Sequence, residues 1–586
     1  MKQQLEELLS SALNSLGDES VASAVAGGAL IVERTRDSQH GDFATNIALR
    51  LARTARRNPR ELARAIIAAL PPSPLVARTE VAGAGFINFF LTREAYAHEL
   101  GRIHELGVRY GLSTIGNGER VIVEFVSANP TGPLHVGHGR HAAYGATLSD
   151  LLAACGFSVY REYYVNDSGR QMDILAVSVW LRYLEACGEA IIFPSNGYPG
   201  EYLRPVASAL KDEVGERLRH SAVDVYAGVQ ADEPAGGDKD LHIDALVGRA
   251  RALIGDENFQ HVLDVSRTAM LADIRGDLEE FGVVFDRWYS EQSLQTSGAI
   301  DRAFERLQSQ SRLYRKDGAL WFRATEFGDE KDRVVVRENG QRTYFSSDIA
   351  YHLDKRERGF ARLVDVLGSG HHGYVARVRA GLAAMGEPPD SLEVPMIQSV
   401  TLYRGNEQVV MSKRAGQFVT LRQLRTEVGN DACRFFYLMR SHEQQLDFDL
   451  ELAKSRSNEN PVYYIQYAHA RVASVLAQLA ARGFAFDREE GLAQIALLTS
   501  APELAVLQEL ARYPEVIESC ALNRAPHGLV HYLRELANAF HTYYNAEQFI
   551  VEDAQLRNAR LALVIAVQQV VRNGLALLGV TAPASM

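Results

Sequence analysis

The sequence has few cysteines. The four (Cys155, Cys187, Cys433 and Cys520) stand far apart, with no CxxC pair and no Cys/His cluster. That spacing excludes a disulfide framework and any structural zinc site legible in the sequence, and it is the usage expected in a reducing cytoplasm. Long apolar runs are missing too: none approaches the roughly 18 residues of a membrane span. There is no excess of positive charge. A net charge of −11 argues against indiscriminate nucleic-acid binding, while leaving local basic patches open to RNA. The opening MKQQLEELLSSALNSL is an amphipathic, partly acidic helix pattern, which reads as neither a secretory leader nor a transit peptide. At 586 residues the chain exceeds a single core, and three or four domains are expected.

Residues up to about 112 read as a small α+β unit. A helix is expected at Gln3–Leu16, a helical stretch at Ala44–Arg53, and edge strands within VAGAGFINFFL (Val81–Leu91). RTARRNPRELAR (Arg53–Arg64) reads as a solvated helix start with Pro59 near its first position, or as a patch that touches phosphate. After the Gly- and Ser-containing linker Gly111–Arg120, VIVEFV (Val121–Val126) has the continuous apolar character of a buried parallel strand. A tight loop, a small-residue helix from about His138 to Ala154 and a strand at Phe157–Val165 follow. This β–loop–α–β order is the first half of a doubly wound nucleotide-binding sheet. Residues of about 170–290 read as a helical insertion. The alternation is expected to resume at Val283–Tyr289, DGALWF (Asp317–Phe322), DRVVVR (Asp332–Arg337), a helix opened by SSDIAYHLDK (Ser346–Lys355), and LVDVLG (Leu363–Gly368). From about 455 onwards long amphipathic helices without strands predict a bundle. The expected fold class is therefore multidomain α/β: a small α+β N-terminal domain (1–112), a Rossmann-type parallel-sheet core (118–454, with its insertion) and an all-α C-terminal bundle (455–586).

Two local patterns carry chemistry. HVGH (His135, Val136, Gly137, His138) lies where a buried strand meets a helix. The unpaired N–H groups and positive dipole end of a helix N-terminus suit a triphosphate. Glycine lets a nucleotide approach the backbone, and histidine donors can follow charge developing on phosphates. The second pattern, VMSKRAG (Val410–Gly416), places a lysine on a Gly-bounded loop that can neutralise leaving pyrophosphate.

Together these resemble the HIGH and KMSKS signatures of class I aminoacyl-tRNA synthetases. The longer strings VEFVSANPTGPLHVGHGRHAAYG, YYVNDSGRQM, YPGEYL, GDEKDRVVVR, TYFSSDIAYHLDK, HHGYV, MSKRAGQFVTL and NPVYYIQYAHAR, with GDFATNIALRLA near the start, are similar to bacterial-type arginyl-tRNA synthetases along essentially the whole chain. The resemblance implies an N-terminal domain that touches the outer corner of tRNA, a Rossmann-type catalytic domain and an anticodon-binding bundle. It also implies ATP-dependent formation of arginyl-adenylate, transfer to the terminal 2′-hydroxyl of the tRNA, and activation that needs bound tRNA.

By the same resemblance, His135, Gly137 and His138 contact ATP within the stretch Ala128, Asn129, Pro130, Thr131, Gly132, Pro133, Leu134, His135, Val136, Gly137, His138. Met411, Ser412 and Lys413 form the second ATP contact, with Lys413 steadying pyrophosphate departure. Val410 stands in place of the first lysine of that signature, and Arg414 in place of its final serine. A planar guanidinium needs carboxylates in a fixed fork. Glu124 and Asp348 match those positions, with Tyr344 beside Asp348 as its i,i+4 neighbour. Ser127 and Asn129 match the residues for the α-amino and α-carboxylate end, and His372 matches a further substrate position, although Gly370 stands where an acid is expected. Tyr463, Tyr467 and Arg471 are candidates for stacking on anticodon bases, and Phe43 and Asn46 for the tRNA corner. The implied partners are L-arginine, ATP and cognate tRNA, with no membrane and a monomeric chain. Mg²⁺ arrives with ATP, held by phosphates and water rather than by a protein cage. Two alternatives stay open: a synthetase for another amino acid, and a catalytically silent tRNA-binding paralogue.

Overall fold

The computed structural model describes residues 1–17, 32–35, 37–409 and 418–586, with the side chains of residues 38 and 372 excepted. Residues Val410–Gly416, and with them Met411, Ser412 and Lys413, lie outside the described residues.

The N-terminal unit packs two longer helices on a four-stranded antiparallel sheet. Helix Lys2–Ser15 buries Leu5, Leu9, Ala12 and Leu13, one stripe at helical spacing. Helix Pro59–Ala69 starts with Pro59 at its first position, capped by Asn58, whose side chain accepts the Arg60 N–H. Two expectations change here. The stretch from Ala44 opens as a strand, Phe43–Thr45, because Phe43 and Thr45 alternate inward and pair with Phe89 and Ile87; helix covers only Ile47–Leu51. Phe86–Leu91 is an interior strand between Phe43–Thr45 and Val76–Ala82 rather than an edge, since it buries Ile87 and Phe89 beneath both neighbours.

The core sheet has five parallel strands: β1 (Arg120–Glu124), β2 (Ser158–Val165), β3 (Arg287–Ser290), β4 (Arg362–Asp365) and β5 (Leu392–Glu393), in the spatial order β5–β4–β1–β2–β3. Helix α1 (Val136–Ala154) links β1 to β2. Helix α2 (Tyr344–Glu357) precedes β4, and α3 (His372–Ala384) follows it. The winding reverses between β1 and β4, so the crevice outside their carboxyl ends is the switch point where such sheets bind ligands. Val121, Ile122 and Val123 are fully buried and deliver Glu124 to that edge. DGALWF and DRVVVR do not continue the parallel sheet. Ala319–Phe322 and Arg333–Val336 join Leu313–Lys316 in a separate antiparallel sheet.

Between β2 and β3, helices Arg170–Ala186, Arg204–Val214, Lys239–Ile254 and Asp256–Glu280 enclose their own core around Trp180, Leu210, Leu246 and Phe259. The C-terminal helices Pro461–Ala481, Ala501–Leu522, His527–Ala546 and Ala554–Leu577 form the expected bundle. The last is long and apolar enough by composition to cross a membrane, but Leu561, Val564, Val567 and Val571 are the bundle's core. The bundle grips the catalytic unit: the Tyr144 hydroxyl on α1 donates to Arg524 O at 2.8 Å, and Arg524 forks onto Glu393 of β5 at 2.7 and 2.9 Å.

Candidate active site

Beyond β1 the chain turns through two consecutive non-glycine residues with positive φ, Val126 (66°) and Ser127 (40°). Such a conformation costs on the order of 1–3 kcal/mol per residue and persists where the surroundings over-determine it. The turn swings the Ser127 hydroxyl back to donate to Glu124 Oε1 (3.1 Å) and to accept the Tyr164 N–H (3.1 Å). Asn129 is turned the other way, its amide on Gln171 (2.7 Å). Thr131 O accepts the Tyr202 hydroxyl, and Ala128 O that of Tyr163.

His135 is the N-cap of α1. Its Nδ1 accepts the Gly137 N–H (3.1 Å), while Nδ1 of His138 accepts the N–H of His135 (3.3 Å), a reciprocal capping box. The rings stack with centroids 3.6 Å apart. Because each Nδ1 is an acceptor, each neutral ring carries its hydrogen on Nε2, and that of His135 is buried in this arrangement. A Cβ at Gly137 would lie 2.9 Å from Cε1 of His135, so glycine is required first by the capping ring. Val136 N–H donates to Val419 O, Leu421 N–H to Leu134 O, and His135 bridges Thr420. The chain leaving the second signature is thus tied to the first.

An acidic floor lies at the carboxyl ends of the strands. Asp348 on α2 is close enough to Glu291, directly after β3, to raise that carboxyl's pKa. Burial, reinforced by Asp348 and Asp167, pushes the Glu291 carboxyl up to about 7. Burial, with nearby Glu124, pushes Asp348 up to about 6, against the pull of His352, Tyr374 and Arg377. Glu291 is 6% exposed, and its Oε2 is buried with no hydrogen-bond partner. Among the described residues neither acid forms an ion pair with a lysine or arginine. Tyr164, at the end of β2, lies among Glu291, Asp348 and Glu124. Two carboxylates that burial drives toward the neutral form, neither in an ion pair, are groups a cationic ligand would stabilise in their charged form.

Glu124, Ser127 and Asp348 therefore meet at one edge of the sheet. Tyr344 does not join them. It is the first residue of α2 and is 71% exposed, and the hydroxyl nearest Asp348 is that of Tyr374 on α3, at 3.5 Å from Oδ1. His372 opens α3, but its side chain lies outside the described residues. In the bundle, Tyr463 and Tyr467 stack at 6.0 Å, and the Arg471 guanidinium lies 4.4 Å from the ring centres of Tyr467 and Tyr544. All three candidates share one half-buried face. Phe43 is corrected: it is wholly buried in the N-terminal core with Arg34 over its ring, so its side chain cannot reach RNA. Asn46 remains half-buried, with a buried Oδ1 lacking a hydrogen-bond partner. Sequence reasoning missed Glu291 and Tyr374. The signal for Glu291 was present: an acid at the end of a short aromatic strand, WYSE, just as Glu124 ends VIVE. Among the described residues no group of three His, Cys, Asp or Glu side chains is arranged to hold a metal ion.

Three family models match in series: the arginyl tRNA synthetase N-terminal domain over residues 3–91, the class I (R) tRNA synthetase catalytic domain over 104–188 and 256–447, and the DALR anticodon-binding domain over 465–586. An arginine–tRNA ligase of Thioalkalivibrio sulfidiphilus (strain HL-EbGR7) is 57% identical over 586 residues, spanning all of both chains. One of Hydrogenovibrio crunogenus (strain DSM 25203 / XCL-2) is 54% identical over 592 residues, again spanning both. The Thermus thermophilus arginyl-tRNA synthetase structure shares the fold, with a TM-score of 0.73 at 23% identity and full coverage of each chain. The histidine-capped helix, the paired acids at the switch point and the aromatic face of the bundle thus sit on matching domains from end to end, and the chain belongs to the arginyl-tRNA synthetases of class I.

Proposed function

We propose that the crevice between β1 and β4 activates L-arginine with ATP and passes the arginyl group to the terminal 2′-hydroxyl of its cognate tRNA. One observation carries this reading: Glu291, 6% exposed with an unpartnered Oε2, lies close enough to half-buried Asp348 for that carboxylate to raise its pKa, and neither acid is in an ion pair among the described residues. A permanently charged guanidinium supplies the missing charge and enough N–H donors for both carboxylates. Glu124, read from the sequence as part of the guanidinium fork, is instead assigned to the α-amino end, because Ser127 and Lys355 already bond its two oxygens; Ser127 and Asn129 join it there, Tyr374 stands beside Asp348, and His372 keeps its assignment as a further substrate residue.

ATP enters as its magnesium complex, the ion held by phosphates and water. His135 and His138, at the positive dipole end of α1, bind the phosphates and follow the charge that develops on them. A carboxylate oxygen of arginine attacks the α-phosphorus, and the bond to the bridging oxygen breaks, releasing pyrophosphate. Lys413, with Met411 and Ser412 beside it, neutralises that leaving group. The tRNA 2′-hydroxyl then attacks the acyl carbon of the adenylate, and AMP departs with the electron pair of the broken bond. We assign residues 1–112 to the tRNA corner through Asn46, 118–454 to catalysis and 455–586 to the anticodon through Tyr463, Tyr467 and Arg471. The enzyme acts as a cytoplasmic monomer.

The test is Asp348→Asn. Expected is a rise in arginine KM with weakened rejection of lysine at an unchanged ATP KM. An unchanged arginine KM with intact lysine rejection contradicts the reading.

A further inference from the structure

Beneath the acidic floor lies a lysine that the reaction does not touch. Lys355 is 0% exposed, and its Nζ donates to Glu124 Oε2 (2.6 Å) and to Asp365 Oδ1 (2.7 Å). Asp365, at the end of β4, holds His352 Nε2 through its other oxygen (2.7 Å), and His352 Nδ1 bonds the carbonyl of Asp348 (2.7 Å). Both nitrogens of that ring face oxygen atoms. Glu162, the next buried acid, is already held by Arg358 (2.6 and 2.8 Å) and by the Tyr351 hydroxyl (2.7 Å), leaving Lys355 to its two partners.

The floor is therefore divided. Glu124 and Asp365 share the ammonium of Lys355, whereas Asp348 and Glu291 form no ion pair with a lysine or arginine among the described residues. Glu124 is pinned on both oxygens, by Ser127 on one and Lys355 on the other, so its plane is set before any ligand arrives. Asp348, His352 and Lys355 follow one another at i, i+4 and i+7 on one face of α2. The acid that meets the guanidinium and the ammonium that aims Glu124 thus ride one helix, separated by about 10.5 Å along its axis.

We propose that Lys355 is a positioning residue for the amino-acid site: it orients Glu124 toward the α-amino end of arginine, and through α2 it fixes the spacing between the two ends of the substrate. This rests on the arginine site as read above. Lys355 is wholly buried and reaches the crevice only through its bond to Glu124. Burial alone would lower its pKa, but the Asp365 and Glu124 carboxylates outweigh that and hold the ammonium above its ordinary value. A lysine acting as ruler makes the length of the substrate matter, not only its charge.

The experiment uses the full-length enzyme with tRNA and compares wild type, Lys355→Met/Asp365→Asn and Lys355→Arg in pyrophosphate exchange, with arginine and with homoarginine, one methylene longer. The double variant removes one buried charge of each sign, so charge balance is kept while the clamp on Glu124 is lost. Expected is an arginine KM raised on the order of tenfold to a hundredfold, an ATP KM within about twofold of wild type, and a preference for arginine over homoarginine reduced about tenfold. Wild-type arginine KM and preference in the double variant overturn the proposal, because Lys355 would then serve only charge balance. If the double variant unfolds, Lys355→Arg decides: its bulk displaces Glu124 while preserving charge, so the same split between arginine and ATP is expected, and wild-type values overturn the proposal. Asp348→Asn runs alongside. If it leaves arginine KM unchanged, the site reading fails; if it raises arginine KM while the Lys355 variants do not, the positioning role alone fails.

Discussion

Glu291→Gln tests the cation site by two opposite effects. In the arginine-free protein Glu291 titrates at about 7 and Asp348 at about 6, and a bound guanidinium requires both ionised. From pH 8 to pH 6 the doubly ionised fraction falls about twentyfold, so arginine affinity falls about twentyfold with it. Glutamine at 291 leaves Asp348 alone, and with its repelling neighbour gone the same acidification costs at most about twofold. At pH 8 the variant also loses one charge-assisted hydrogen bond, on the order of 1.5–3 kcal/mol, or about 10- to 150-fold in Kd. Stability moves the other way. A carboxyl whose folded pKa lies above its unfolded value of 4.5 contributes stability present below pH 4.5 and lost as pH rises through about 7. At pH 8 the ligand-free fold therefore bears a cost on the order of 3 kcal/mol that Glu291→Gln removes. Calorimetric titration with L-arginine at pH 8, 7 and 6, with melting curves at pH 8 and pH 5, measures both. A wild-type affinity flat across this range, or an equally steep fall in Glu291→Gln, refutes the reasoning, as does a variant less stable than wild type at pH 8.

Three further outcomes are expected. His138→Ala removes the ring that accepts the His135 N–H and one phosphate donor; single-turnover adenylate formation slows at least about tenfold, while filter-binding affinity for tRNA stays near wild type. Tyr467→Ala removes the platform between Tyr463 and Arg471 and weakens tRNA binding by about 1–3 kcal/mol, with arginine affinity measured by calorimetry unchanged. Phe43→Ala opens a cavity in the N-terminal core and lowers stability by about 3–5 kcal/mol in denaturant melts, and at temperatures where the domain stays folded it leaves tRNA affinity intact.

Local signals made the β1–α1 junction legible. A continuous apolar run must be buried, and the histidine–glycine stretch after it must form a helix start. The same holds for the bundle, whose helices carry their own periodicity. What sequence reading missed depended on which strand lies beside which. Glu291 acts with Asp348 only because the sheet carries the end of β3 to the foot of α2, far along the chain. Tyr374 replaces Tyr344 beside Asp348 because α3 folds back over α2, while the first residue of α2 faces out. Phe43 was placed at the RNA because it sits within a family string; its alternation with Thr45 was the better guide, and it marks the core. DGALWF and DRVVVR, read as continuing the α/β alternation, fall in an antiparallel sheet, since periodicity tells a strand from a helix but not one partner from another.

The most direct measurement of the central claim is charging of total bacterial tRNA by the purified full-length protein, offered each of the twenty labelled amino acids in turn, with pyrophosphate exchange run with and without tRNA. The account predicts that arginine alone is charged, and that arginine-dependent exchange requires tRNA. Charging with lysine or any other amino acid, or tRNA binding without arginine charging, contradicts it.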